Sequence, residues 1–338
     1  MEIKPYRKSY RDEWEQLCDK SDDSWFFNTR AHCDYVLSYH CDSLVEDVSF
    51  VCFLRGYVVA VLPAMILRNL DGENVLSFAD KYIPWPVFDK NITLRERGKI
   101  EKLLFSHLYN IALEFGVKKI QLYGTVLAKS FYEPTRQQIN LPLKYGYIGH
   151  VVNTHVIDTS QPLEELWRDV RKGHRSAIKS GKKELDIEYW MGEDCIEPFE
   201  EYKNLHALAA GRTTRPANTF LKMAEWICNG NGMLVGAKDK TGWIGFVYFL
   251  IYKKAASYAS AANHPKRAKN VNVGHALVWN AIEKCNEIGV DLVDMGLQTY
   301  SSHISDDKLN KEISISMFKR GFGGYSMSRF ESTIEINK

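Results

Sequence analysis

The chain has 338 residues, 45% of them hydrophobic and 25% charged, which marks an ordinary globular protein with apolar material for two domains or one large one. Its 44 Lys and Arg nearly balance 42 Asp and Glu, so composition excludes a general nucleic-acid binder and confines any anion-binding role to a local patch. The seven cysteines form no CxxC pair and no Cys/His zinc spacing, and the longest apolar run, Val58 to Leu67, is too short to cross a bilayer. Together with an N-terminus that lacks the apolar stretch of a secretory signal, this predicts reduced thiols, no metal site and a cytoplasmic location.

In chain order, a short strand from Glu2 to Tyr6 precedes amphipathic helical patterns from Ser9 to Asp19 and from Arg30 to His40. SFVCFLR and YVVAVLPAMILR follow as a strand pair turning at Gly56, and FADKYIPWPVFD, with two prolines, reads as loop. A long helix from Leu94 to Phe115 stops at Gly116 and feeds the strand VKKIQLYG.

DTSQPLEELWRDVRKGHRSAIKSG reads as one helix, with Ser160 as cap, Pro162 and two glutamates in the first turn, and Gly181 as the stop. Leu163, Leu166, Trp167, Val170, His174, Ala177 and Ile178 share one face, while Arg168, Lys172, Arg175 and Lys179 line the next. Few acidic residues follow the first turn, so this cationic face is predicted to meet phosphates, with His174 and Arg175 bordering an acceptor cleft. The same helix, residues 163–180, supports an alternative from a different class: a non-catalytic protein that binds nucleic acid or an anionic membrane surface.

Further on, MLVGAKDKTGWIGFVYFLIYKKAASYASAAN gives three strands, with turns at Asp239 to Gly242 and at Lys253 and Lys254. A helix from Gly274 to Ile288 and the strand VDLVDMG complete the pattern. ALEFGVKKIQLYG (Ala112 to Gly124) and KCNEIGVDLVDMG (Lys284 to Gly296) share a helix end, a Gly-Val stop, a buried strand and a Gly exit, the signature of a duplicated unit. The expected class is therefore α/β (α+β), two similar halves over 1–150 and 151–338, each a mixed β-sheet flanked by helices, packed around a shared cleft.

The second half resembles the Fem aminoacyltransferases and related GNAT-type acyltransferases. The resemblance rests on four stretches in the family's order: the Trp and spaced cations of the 163–180 helix, LHALAAGRTTRPANTFLKMAEW, GHALVWNAIEKCNEIGVDLVDMGL, and SMFKRGFGGYSMSRFE. It implies two GNAT-like subdomains and N-acyl transfer from acyl-CoA or aminoacyl-tRNA, a co-substrate and not a tightly bound cofactor. The implied acceptor is the amine of a phosphate-bearing or lipid-linked cell-envelope precursor, a peptidoglycan peptide or an amino sugar, with peripheral membrane contact. The coiled-coil arm of some Fem enzymes is missing, because few residues separate Arg215 from the next helix, and no Arg-x-x-Gly-x-Gly/Ala loop of simple acetyl-CoA enzymes is present.

Acyl transfer to an amine requires a donor held by its phosphates, a neutral amine and hydrogen bonds to the tetrahedral oxyanion. Lys266, Arg267 and Lys269, ahead of the helix that opens at Gly274, are the donor-binding candidates, since a helix N-terminus favours phosphate. Asp294, at the C-terminal end of its strand, is the candidate to orient or deprotonate the amine, with His206 as a second catalytic candidate. The resemblance assigns Arg212 and Arg215 to the acidic groups of the acceptor and Tyr258 to acceptor contact.

Overall fold

The computed structural model describes residues 1–78, 82–132, 139–266, 271–300 and 307–336. The chain divides into two compact units: Met1–Val152 with Ser328–Lys338, and Asn153–Met327. The last eleven residues thus leave the 151–338 half expected from sequence, because Glu331–Glu335 pair antiparallel with Tyr123–Lys119 of the first unit.

Unit 1 opens with β1 (Glu2–Pro5), α1 (Arg11–Lys20) and α2 (Arg30–Tyr39), followed by β2 (Leu44–Asp47), β3 (Phe50–Leu54), β4 (Tyr57–Leu62), β5 (Met65–Arg68) and β6 (Asn74–Ser77). The expected strand YVVAVLPAMILR is two strands: it breaks at Pro63, which has no N–H for a ladder, and its halves join different sheets. The proline-rich stretch read as loop contributes β7 (Ile83–Pro84) and β8 (Val87–Phe88). Ile83 and Pro84 stand opposite Leu122 and Tyr123 of β9 (Lys119–Tyr123), and Val87 and Phe88 opposite Val61 and Ala60 of β4.

One antiparallel sheet has the order β1-β3-β4-β8. The other runs β2-β5-β6-β9 and ends on β16 (Tyr325–Glu335), whose C-terminal half belongs to this unit. Between β8 and β9 lies α3 (Leu94–Glu114), fixed at its start by a capping box in which Thr93 accepts the Glu96 N–H and Glu96 accepts that of Thr93. Its buried face, Ile100, Leu104, Leu108 and Ile111, packs into the unit's main core. A short turn of helix, α4 (Lys129–Tyr132), follows β9.

Unit 2 begins inside β10 (Ile148–Asp158) and contains α5 (Leu163–Asp169), α6 (Lys172–Glu184), β11 (Asp186–Trp190), α7 (Ile196–Ala210), α8 (Ala217–Cys228), β12 (Gly232–Asp239), β13 (Gly242–Tyr252), β14 (Ala255–Asn263), α9 (Val273–Glu287), β15 (Leu292–Leu297) and α10 (Asp307–Arg320). Its sheet has the order β11-β12-β13-β14-β15-β10. β12 to β14 form an antiparallel meander with β11 antiparallel at its edge, β14 and β15 are parallel, and β15 and β10 antiparallel. Helix α9 buries Ala276, Leu277, Trp279 and Ile282 against this sheet.

The expected single cationic helix is two. Backbone extends at Val170 and Arg171, where the Arg171 N–H donates to Gly321 O at 3.0 Å, and the Arg175 guanidinium closes the break by donating to Arg168 O at 2.7 Å. Ser160 does not cap; its hydroxyl donates to Asp158 at 2.6 Å. Nor does Gly181 stop α6. A Cβ there would stand 2.7 Å from Ala276 Cβ and 3.0 Å from Asn272 O, so glycine is the residue that lets α6 and α9 touch.

The inferred duplication has a matching backbone. Phe115, Gly116 and Val117 donate to Ile111, Leu113 and Ala112 at the end of α3, and Ile288, Gly289 and Val290 donate to Lys284, Asn286 and Cys285 at the end of α9. Both glycines are left-handed, with φ of 65° and 75°.

Candidate functional site

Parallel strands β14 and β15 pair over Ala255–Ser257 and Leu292–Asp294, and there their ladder ends. At the same level each strand bulges against its other neighbour: Ala259 is the extra residue opposite Tyr248 and Phe249, and Met295 the extra residue opposite His155 and Val156. The two C-terminal ends therefore part from one another, at the carboxyl edge where α/β sheets hold ligands. Asp294 lies at the fork. Its Oδ1 accepts the Thr154 hydroxyl and, at 2.8 Å, the Gly296 N–H, which fixes the carboxylate in place.

Opposite it stands Lys319, from the end of α10. Burial lowers its pKa, and the Asp294 charge partly restores it. Its Nζ is 5.8 Å from the centre of the Tyr258 ring and 3.0 Å from where a Gly296 side chain would begin. Gly296 has φ of 91°, a left-handed backbone that favours glycine. Burial, with Tyr202 adding to it, pushes the Tyr258 hydroxyl up to about 12, and its ring packs on Phe249 at 5.3 Å. Asp294, Lys319 and Tyr258 thus form a half-buried cluster of two charges and a neutral phenol.

The sequence FKRGFGG supplies the frame for Lys319. Phe318 O accepts from the His174 ring at 2.9 Å, Arg320 donates to Gln298 Oε1 at 2.9 Å, and a side chain at Gly321 would overlap His174. His155, buried and with its pKa lowered by that burial, holds Gly323 O at 2.7 Å. Lys319 received no role in the sequence reading, nor did Thr154; a lysine lodged between Phe318 and Arg320 ahead of a glycine run was the available signal.

His206 on α7 pairs its Nδ1 with the Thr214 hydroxyl at 3.3 Å and packs edge-on to Tyr202 and Phe220, with centroids 5.7 Å away in each case. Burial and the nearby Arg215 lower its pKa. Tyr202 donates to Ser260 on β14 at 2.8 Å, which links this helix to the strand that carries Tyr258. Arg215 lies over Phe220 with its Nη1 3.2 Å from Met223 Sδ, and Arg212 is exposed on the same connection. Helix α8 starts two residues past Arg215, leaving no room for a coiled-coil arm.

His174 is buried among His275, Phe318 and Phe322, behind the helix of Lys319, and burial lowers its pKa. Within the 163–180 segment, Arg168 pairs with Glu165, Arg175 donates to the Arg168 carbonyl, and Lys179 Nζ lies 5.8 Å from the centre of the Trp167 ring; just beyond, Lys182 pairs with Glu283. Of the donor-binding candidates, Gly274 lies in the first turn of α9, whose cap residue Asn272 makes no side-chain cap bond, and Lys266 is exposed. Arg267 and Lys269 fall outside the described residues. Among the described residues no group of three or more His, Cys, Asp and Glu could hold a metal ion, and no helix is long and apolar enough to cross a membrane.

Unit 1 has its own cavity of about 230 Å3 at the carboxyl end of β9, lined among others by Trp85, Phe131, Arg97, Glu101 and Thr125. Arg97 bridges Asp23 at 2.8 Å and Glu101 at 3.0 Å there. With Gly124 matched to Gly296, the residue at the place of Asp294 is Leu122, fully buried. The fork carboxylate is a feature of unit 2.

No family model matches the sequence, and no curated protein matches it either. Solved structures do. FemX is similar at 11% identity over 98% of this chain and 97% of its own, with a TM-score of 0.66. L-PGS from Bacillus licheniformis is similar at 12% identity over 97% and 92%, with a TM-score of 0.60. A tandem GNAT protein from the clavulanic acid biosynthesis pathway is similar at 13% identity over 100% and 99%, with a TM-score of 0.54. The fold is that of these Fem-like, tandem GNAT proteins, as the resemblance in sequence implied.

Proposed function

We propose that the chain is an N-acyltransferase whose reaction takes place at the β14–β15 fork. The observation that carries this reading is Lys319: a half-buried lysine of lowered pKa, beside Gly296 and within the field of the Asp294 charge, at the point where two parallel strands part. A lysine more readily neutral than in water is suited to take a proton from an attacking amine, and Asp294 to hold that amine in line. As the amine nitrogen bonds to the donor carbonyl, Lys319 accepts its proton and passes it to the departing thiol or ribose hydroxyl. Tyr258 contributes a phenol that stays protonated, a hydrogen-bond donor facing the acceptor.

The donor is an acyl-CoA or an aminoacyl-tRNA, held by its phosphates at the start of α9 with Lys266, Arg267 and Lys269. The likeness to FemX, to L-PGS and to a tandem GNAT protein described without AcCoA supports an activated donor of this kind. Arg212 and Arg215 receive the acidic groups of the acceptor, an amine of a peptidoglycan peptide or amino sugar, with His206 positioning their loop. Such donors are made in the cytoplasm, where the reaction is expected.

The test starts with thermal unfolding in acetyl-CoA, a longer acyl-CoA, and charged or uncharged tRNA, since a ligand at a hundred times its Kd adds about 2.7 kcal/mol. With the donor identified, Lys319→Met should lower kcat by about 10²–10⁴-fold and abolish the acidic limb of its pH profile, the limb on which the free lysine loses its proton. No stabilisation by any donor, together with a Lys319→Met protein as active as the parent, would sink the proposal.

A further inference from the structure

Helices α7 and α8 form a hairpin closed at its open end by two cysteines. Cys195 is the residue immediately before α7 and Cys228 the last of α8, and their Sγ atoms lie 3.7 Å apart. The packing of Phe199 and Tyr202 on Phe220, with ring centroids 6.5 and 6.3 Å apart, holds the two helices in this register. Cys195 is fully buried and its Sγ also lies 3.8 Å from Ala224 O, whereas Cys228 is partly exposed.

We propose that Cys195 and Cys228 are a redox-modified dithiol that forms a reversible disulfide with a small-molecule disulfide such as oxidised glutathione as electron acceptor. The Cys228 thiolate attacks one sulfur of the acceptor and expels a thiolate, which takes up a proton. Cys195 then loses its proton and attacks Cys228 Sγ of the mixed disulfide, expelling the second thiol. Two thiols are oxidised and one disulfide is reduced to two thiols. Burial, and then the contact with Cys228, pushes Cys195 up to about 12, so it is not the thiol that attacks first; its place 3.7 Å from Cys228 Sγ is what allows the second, intramolecular step.

The bond would tie the two ends of the hairpin whose tip carries Arg212 and Arg215, narrowing the freedom of that loop. An effect on transfer rests on the function proposed above; the thiol chemistry does not.

The folded protein is incubated with oxidised glutathione, alkylated and digested with trypsin without reduction. The expected product links the peptides Glu184–Lys203 and Met223–Lys238, disappears on adding dithiothreitol, and is accompanied by a higher melting temperature. Cys195→Ser should stop at a glutathione adduct on Cys228, and Cys228→Ser should yield neither adduct nor link at this pair. A link that forms only in denaturant, or scrambled links spread over all seven cysteines, would overturn the proposal.

Discussion

The ring cluster behind Lys319 shows how a half-buried histidine sets a pH response. His275 lies 4.5 Å from His174 and 5.0 Å from Phe318, centroid to centroid, and burial, followed by the neighbouring His174, lowers its pKa to about 4. His174 is lowered too, by burial and by Arg171. Unfolded histidine titrates near 6.5, so as pH falls below that value the unfolded chain binds protons that the folded chain refuses. The cluster's stability is therefore fully present above about pH 6.5 and drains away toward pH 4. In His275→Gln the loss of melting temperature between these limits should be distinctly shallower than in the parent. An equal slope would place the acid sensitivity elsewhere. The sequence places His174 on the apolar face of its helix, and packing is what that face does; that the partners are the rings of His275, Phe318 and Phe322 is a fact of tertiary structure that one sequence does not carry.

At the scale of elements, what was legible depended on whether the cause was local. The meander β12–β14 and the helix–Gly–strand units were readable because alternation, turn residues and left-handed glycines act over a few positions. The split of α5 from α6 was not, because it is made by Gly321 O and by a side chain reaching back, both consequences of the folded unit. Gly181 carries the same lesson, since a glycine that ends a helix and one that admits a neighbouring helix look alike in sequence. The second cause predicts that Gly181→Ala, a gain in helix propensity, destabilises unit 2, by about 1–3 kcal/mol as an overpacking change. Ala276→Gly in the same chain should recover part of that loss, leaving the residue due to Asn272 O. If Gly181→Ala raises the melting temperature, α6 and α9 do not touch there.

For the whole molecule, the fold class and the duplication followed from sequence, and the position of Asp294 at the end of a strand was legible there, while its role is a proposal. Its partner Lys319 comes from an element later in the chain, and only the folded unit brings the two together. The same holds for the end of unit 1. Beyond Ser328 the chain supplies β9 with its antiparallel neighbour, sets Phe330 O on the Gly124 N–H at 2.9 Å and stacks Phe330 on Trp85 at 6.4 Å. Ser332 donates from a fully buried position to Asn140 at 2.8 Å, and Ile334 packs on the core. Removing 328–338 strips the antiparallel ladder from β9, a loss on the order of 5 kcal/mol if each of several backbone bonds contributes about 1. Hydrogen exchange should then be fast through α3 and β9 while α9 and β12 keep their protection, and the synthetic segment 328–338 added back should restore part of the difference. Uniform protection in the shortened chain would show that unit 1 holds its core without this strand, and that the discontinuity is a matter of connectivity alone.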